Sequence, residues 1–373
     1  MNRRHFLFQL GAMLGASALP SLVRAESASA NMRVGGGWRM QERDWQVGIL
    51  QVDWSAGKVL LKNAVNTPTQ PHAIVPEPGG GFLAVATRPG TWILRVDDEG
   101  KQVRRLDAED EGGRRTFDGH VIASLDGQWL YTGETDRKTG AGWVSVRDVR
   151  DLHKVAEFSA HGIDPHQILV DARGRLVVAN GGIPRTATGA KRNLEQMDPV
   201  LVLMDSGSGG KLGEWRLRDK RLSPHHIAWN QPLDGTPALL GVGLQAEHDD
   251  VASRRKAPLL AVWDGNALNV PSYDMLNGYA GDVAAGPNGG FVLTAQHADR
   301  IVLWQPEKPG VLMSIGEVQN PCGLWPVIGS DGIVQGVAAG GGLGLARWQP
   351  TGGGGMMRWP PGMAAGNHWA ILT

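Results

Sequence analysis

One phrase recurs along this chain and restricts its fold more than any other feature. A turn residue is followed by a histidine, a short apolar strand, a glycine turn and a second apolar strand. Pro71-His72-Ala73-Ile74-Val75 leads through Gly79-Gly80-Gly81 to Phe82-Leu83-Ala84-Val85-Ala86. Gly119-His120-Val121 leads through Asp126-Gly127 to Trp129-Leu130-Tyr131, and Pro165-His166-Gln167 leads through Arg173-Gly174 to Leu176-Val177-Val178. His225-His226-Ile227 opens a fourth copy, Gly281-Asp282-Val283 a fifth, Cys322-Gly323-Leu324 a sixth and Asn367-His368-Trp369 the last. The marked positions are 72, 120, 166, 226, 282, 323 and 368, spaced by 48, 46, 60, 56, 41 and 45 residues.

A period in the forties is the length of one four-stranded propeller blade. The two longer gaps accommodate insertions, of which 184–199 is the clearest. Asp-Gly and Asn-Gly pairs supply hairpin turns, because glycine enters the positive-φ region without a Cβ clash. The segments between them are short and rich in Val, Ile, Leu and Trp, and none has a long helical apolar period. The seventh copy runs into the C-terminus with no room for the rest of a blade. Met32–Met40, Trp45–Trp54 and Lys58–Val65 read as the three missing strands. The expected fold is all-β: one domain over 31–373, a seven-bladed β-propeller closed by a blade shared between the N- and C-termini. Such closure removes free sheet edges. A β-sandwich or a solenoid would explain neither the sevenfold count nor the split copy.

Residues 1–30 read as a targeting segment and are set apart from the fold. Arg3-Arg4-His5-Phe6-Leu7 precedes an apolar run to Leu19, and Val23-Arg24-Ala25 offers a cleavage site. The paired arginines resemble a twin-arginine signal, which implies periplasmic export of an already folded chain. With 37 basic and 37 acidic side chains the chain has no net charge, so no nucleic-acid partner is expected. No membrane span is expected in the mature chain, and a monomer is. The single cysteine, Cys322, excludes an intramolecular disulfide.

Phe117-Asp118-Gly119-His120, the run Asp126 to Asp136, Gly162-Ile163-Asp164-Pro165-His166, Val178-Ala179-Asn180-Gly181-Gly182-Ile183 and the run Asn193 to Pro199 together resemble a bacterial family, domain of unknown function 1513. The resemblance covers the mature chain and is most specific between Phe117 and Pro199. It implies a periplasmic propeller whose genes tend to sit beside those of imelysin-type periplasmic iron-uptake proteins, which are the partners the resemblance suggests, and it carries no established activity. The repeat is also similar, in its motifs alone, to seven-bladed lactonase propellers.

In a propeller the first strand of each blade lines the central channel, so the residues that open those strands gather at one mouth. One expected set is therefore His72, His120, His166, His226 and His368, with Asp282 in the same register. A second set, just after the second strands, is Arg88, Glu134, Asn180, Gln245 and Gln296. The intervals 120 to 134, 166 to 180 and 282 to 296 are equal, which places each pair side by side in a hairpin. The first set is a candidate metal site and the second a candidate ligand-binding set. Clustered neutral imidazoles with a carboxylate suit iron, copper or zinc. Binding would weaken below pH ~6.5 as histidine protonates.

The competing interpretation is structural. Gly119-His120 is similar to the Gly-His pair of WD-repeat blades, where the histidine makes a hydrogen bond and binds nothing. His248 and His297 are placed near the same mouth, His153 and His161 on the surface, and Cys322 in a buried position. The glycine runs at 340–342 and 352–355 lack the Lys-Ser/Thr of a phosphate loop, and no Gly-x-Ser-x-Gly elbow is present. The leading expectation is a periplasmic accessory protein of metal handling, for iron above all. The alternatives are a metal-dependent, lactonase-like hydrolase using Glu134 and Asn180 as ligands, and a non-catalytic interaction scaffold.

Overall fold

The computed structural model describes residues 31–41, 44–271, 278–352 and 354–372. The expected targeting segment, 1–30, lies outside the described residues. Seven four-stranded antiparallel sheets follow one another around a central channel. The first blade joins both ends of the chain: β1 (Asn31–Met40), β2 (Trp45–Asp53) and β3 (Lys58–Thr67) complete a sheet whose innermost strand is the last one, β28 (Met363–Leu372). β1 and β28 pair from Arg33 opposite Leu372 to Met40 opposite Met363. The shared blade expected from the truncated seventh repeat is therefore present.

The second blade is β4 (Pro71–Pro76), β5 (Phe82–Ala86), β6 (Trp92–Val96) and β7 (Gln102–Asp107). The third is β8 (Arg115–Ala123), β9 (Trp129–Asp136), β10 (Ala141–Asp148) and β11 (Lys154–Ile163). The fourth is β12 (Pro165–Val170), β13 (Leu176–Asn180), β14 (Val200–Met204) and β15 (Lys211–Trp215). The fifth comprises β16 (Leu222–Trp229), β17 (Leu240–Ala246), β18 (Leu260–Trp263) and β19 (Leu268–Asn269). The sixth comprises β20 (Ala280–Ala285), β21 (Phe291–Ala295), β22 (Arg300–Trp304) and β23 (Leu312–Glu317), and the seventh β24 (Leu324–Ile328), β25 (Val334–Gly340), β26 (Gly344–Trp348) and β27 (Gly355–Arg358). Insertions fall where the repeat lengthens. The loop between β13 and β14 spans 181–199, and a short helix, α1 (Val251–Lys256), follows β17. The N-cap Asp250 starts that helix by accepting a hydrogen bond from the Ser253 amide.

The second strands explain why the repeats read as unbroken apolar runs. Every residue of β5, β13 and β21 is buried, because each blade is covered on both faces by its neighbours. The core consequently lies between blades. Ile74, Phe82, Ala84 and Leu94 of the second blade pack with Ala370 and Leu372 of the first. Burying one side chain of this size contributes roughly 1.5–3 kcal/mol. The outermost strands carry the polar residues, as in the exposed Gln102-Val103-Arg104-Arg105 of β7.

One irregularity positions the site. Six of the seven innermost strands break register at the marked repeat position. The breaks fall between Pro71 and Ile74, Phe117 and Val121, Pro165 and Ile168, Pro224 and Ile227, and Ala280 and Val283. The sixth falls where β28 crosses Gly36 and Trp38 of β1. A bulge bends the strand and re-aims one side chain out of the usual alternation. β24, whose marked residue is Gly323, pairs evenly from Leu324 to Val327. In the third blade the bulge needs glycine: Gly119 has φ +102°, and a Cβ there would stand 2.6 Å from the His72 ring.

A histidine ring in the central channel

The five bulges that carry histidine aim their imidazoles at one another. Ring centroids lie 4.8 Å apart from His72 to His120, 4.8 Å from His120 to His166 and 4.6 Å from His166 to His226. The circuit closes with 4.6 Å from His226 to His368 and 4.7 Å from His368 back to His72. The Nε2 atoms of His72 and His120 are 3.1 Å apart, and those of His166 and His226 are 3.0 Å apart. Ring nitrogens of His72, His120, His166 and His226 all lie within 4.8 Å of one another. His226, His368 and Asp282 form a second such group. The register expected for these residues thus holds, with His72, His120, His166 and His226 buried and His368 part-buried.

Burial sets the charge state. The imidazoles of His72, His120, His166 and His226 are held well below the ordinary histidine range, first by desolvation and then by each other and by Arg88. Two neutral imidazoles can share one N–H···N bond at 3.0–3.1 Å. The same spacing is close to the ~3–3.4 Å separating two nitrogens bound at ~2.0–2.1 Å to one ion. Nδ1 of His166, Nδ1 of His226 and Nε2 of His368 are buried without a hydrogen-bond partner. Asp282 fixes the last of these. Its carboxylate accepts from the amides of Val283 and Leu324 and stands 3.3 Å from His368 Nδ1, leaving Nε2 toward the ring. Burial alone would raise the Asp282 carboxyl, but His368, His226 and the Leu324 amide outweigh it and lower it. A carboxylate behind a histidine is the usual way a ligand ring is oriented. Neutral imidazoles, unpartnered buried nitrogens and an orienting carboxylate fit a transition metal ion, whose identity they leave open.

A cavity of about 260 Å3 adjoins the ring. From the second expected set it is lined by Arg88, Gln245 and Gln296. Arg88 follows the end of β5, and its Nη1 donates to Asp164 Oδ1 at 2.7 Å. Gln245 donates to Ala280 O on the next blade, and Gln296 reaches Asn320 Oδ1 and Cys322 Sγ. Glu134 and Asn180 do not join them. Glu134 lies opposite Phe117, not His120, because the bulge displaces the pairing, and it bonds Arg147 of β10 at 2.6 Å. Asn180 donates to Ala160 O of the preceding blade, packed so closely that a Cβ on Gly162 would meet it at 2.6 Å. The equal sequence intervals place these pairs at the same end of each hairpin, yet side chains within a strand alternate faces. The hydrolase arrangement built on Glu134 and Asn180 is therefore not assembled.

Residues outside the repeat register also enter. Arg185 and Lys191 of the 181–199 loop, His225, Tyr279 and Asp118 line the cavity. Arg185 Nε donates to Asp164 Oδ1 at 2.6 Å, and Lys191 pairs with Glu247 at 2.5 Å. Burial pushes the Asp118 carboxyl up to about 8, although Arg88 beside it acts in the opposite direction. Asp118 and Asp164 had a legible signal: each stands two residues before a ring histidine, in Asp-Gly-His and Asp-Pro-His. Cys322 is half-buried at the cavity wall rather than fully buried; desolvation still raises its thiol to about 12, so it remains protonated. His297 stacks on Tyr279, His248 bonds Asp219, and His161 bonds Gly209 O.

The fold recurs among solved structures of varied function. Virginiamycin B lyase from Staphylococcus aureus superposes with a TM-score of 0.54 at 13% identity, covering 79% of this chain and 86% of that one. Kuenenia stuttgartiensis hydrazine synthase gives 0.54 at 15% identity, covering 84% and 92%. The dihydro-heme d1 dehydrogenase NirN gives 0.52 at 14% identity, covering 95% and 77%. At such identities the likeness is one of fold. No curated protein matches the sequence. The match over residues 65–372 places the chain in the family described as Protein of unknown function (DUF1513).

Proposed function

We propose that this protein is a periplasmic accessory of metal handling that holds a transition metal ion within its histidine ring. One observation carries the reading: five blades each contribute an imidazole to a closed ring, four of them buried and held neutral, and several ring nitrogens have no partner in the protein. His72, His120, His166 and His226 would hold the ion, with His368 presented by Asp282. Imidazole without thiolate suits iron, copper or zinc. The twin-arginine-like leader and the family resemblance favour iron and an exported chain working beside iron-uptake proteins.

The depressed histidines sharpen the expected pH dependence. Protons compete with a metal only when they can reach the same nitrogens. His72, His120, His166 and His226 stay neutral below the ordinary value of 6.5, so binding should persist into mildly acidic solution. Mature protein purified without a histidine tag should carry close to one equivalent of metal by elemental analysis. Metal should raise its melting temperature, by the equivalent of about 2.7 kcal/mol at a hundredfold excess over Kd. Replacing His120 and His166 together by Ala should abolish both effects. Equal metal content and an equal thermal shift in that double variant would refute the proposal.

A further inference from the structure

We infer that the cavity beside the histidine ring receives a small oxyanion, a carboxylate or a phosphate, gripped by Arg88, Arg185, Lys191 and His225. The inference deepens the reading of the channel as a ligand site and does not require the metal.

The first ground is a surplus of donors. Two guanidiniums each carry five N–H donors, whereas one carboxylate offers about four acceptor sites. Arg88 and Arg185 converge on Asp164, and both bond the same atom, Oδ1, at 2.7 and 2.6 Å. Arg185 has two further acceptors, Gly189 O at 3.1 Å and, at a longer 3.4 Å, Asp164 Oδ2. Of the other carboxylates here, Glu247 is engaged by Lys191 and Asp118 accepts from Thr135 Oγ1. Paired arginines at a recess are suited to bidentate recognition of carboxylate or phosphate.

The second ground is a hydrogen with nowhere to go. Arg88 Nη2 lies 3.4 Å from His225 Nδ1. A guanidinium can only donate, so Nδ1 accepts and the neutral His225 ring carries its proton on Nε2. His225 is 3% exposed, it lines the cavity, and its Nε2 has no partner in the protein. A buried donor left unmade is costly, and an anion in the cavity would satisfy it. His225 immediately precedes His226 of the ring, so such an anion would lie next to any bound ion.

The third ground is the origin of these groups. Arg185 and Lys191 come from the longest insertion in the repeat, bridged to each other across a tight turn. The blade fold does not need them, since the other blades close without such a loop.

The test is calorimetric titration of malonate and of inorganic phosphate into metal-stripped mature protein, with uncharged malonamide as the control. At least one anion should bind and the amide should not, and the tighter anion identifies the class. Arg185→Gln and Lys191→Gln should each weaken binding about tenfold or more. Lys191 is partly exposed, so its variant tests the idea even if Arg185→Gln folds poorly. Metal content in both variants should equal that of the wild type, which separates this inference from the metal reading. No heat from either anion, with or without metal, or equal binding of malonamide, would overturn it.

Discussion

Two buried ionic clusters lie on neighbouring blades and differ in how fully they are satisfied. In the third blade Arg147 is wholly buried, and its donors all have acceptors. Nε bonds Thr132 Oγ1, Nη1 bonds Glu111 and Leu152 O, and Nη2 bonds Glu111 and Glu134. Arg115 and Lys154 extend this network to Glu157, and Arg115 lies over the Trp143 ring. The cluster of Arg88, Arg185 and Asp164 contains the same residue types, but it opens on a cavity and leaves His225 Nε2 unmade. Charge and burial alone would rank the two alike. Saturation separates them: a closed network holds blades together, whereas an unsaturated one facing a void is built for something else. That distinction moves Glu134 from the ligand set to the framework and brings Arg185 and Lys191 in.

The contrast can be broken most forcefully with acid. His72, His120, His166, His225 and His226 stay neutral when folded but gain protons when unfolded below pH ~6.5. Stability is therefore full above that value and is lost as pH falls toward the depressed native values, by up to about 1.4 kcal/mol per pH unit for each histidine. At the closed network, burial raises the Glu111 carboxyl but its bonds to Arg147 lower it further. Its contribution is present above the ordinary carboxylate value and is lost only at more acidic pH. Urea titrations of metal-free protein should show stability declining from pH 6.5, well before the carboxylate region. A flat profile between pH 6.5 and 5 would remove the neutral ring.

A second test falls on the closed side. Arg147→Met strands the buried Glu134 and the half-buried Glu111 and should cost about 3–5 kcal/mol in chemical denaturation, while the folded fraction keeps its metal content. Loss of metal at unchanged stability would reverse the assignment. The smallest effect belongs to the orienting carboxylate. Asp282→Asn should weaken metal affinity about 10- to 100-fold. Because asparagine can still accept from the Leu324 amide, thermal unfolding of the metal-free variant should move by only a few degrees. Equal shifts in affinity and stability would make Asp282 a packing residue.

The fold was readable because its determinants are local and repeated. Turn glycines, apolar strand pairs and the period of the histidine phrase each report on one blade, and the missing strands of the last copy could be sought at the other terminus. The ring was readable for the same reason, since His72, His120, His166, His226 and His368 share a register. What spacing could not convey is direction. A bulge just after Phe117 on the same strand decides that His120 faces the channel while Glu134 faces Arg147, and its mark in the sequence is only Gly119. Arg185 and Lys191 belong to an insertion, which has no register from which to infer position. His225 was hidden by its neighbour, because a His-His pair offers no indication of which ring points where.

The clasp between β1 and β28 has a consequence for assembly. Pairing Arg33 with Leu372 closes a loop of almost the entire chain, at an entropic cost of order 5 kcal/mol. The strand that meets this cost through Trp369, Ala370 and Leu372 also delivers His368. The fifth imidazole therefore arrives only when the last strand has docked, so the ring exists in finished molecules and not in partly folded ones. A ligand that bridges His368 to His72 or His226 would in turn fasten the clasp, coupling occupancy of the channel to the closure of the whole wheel.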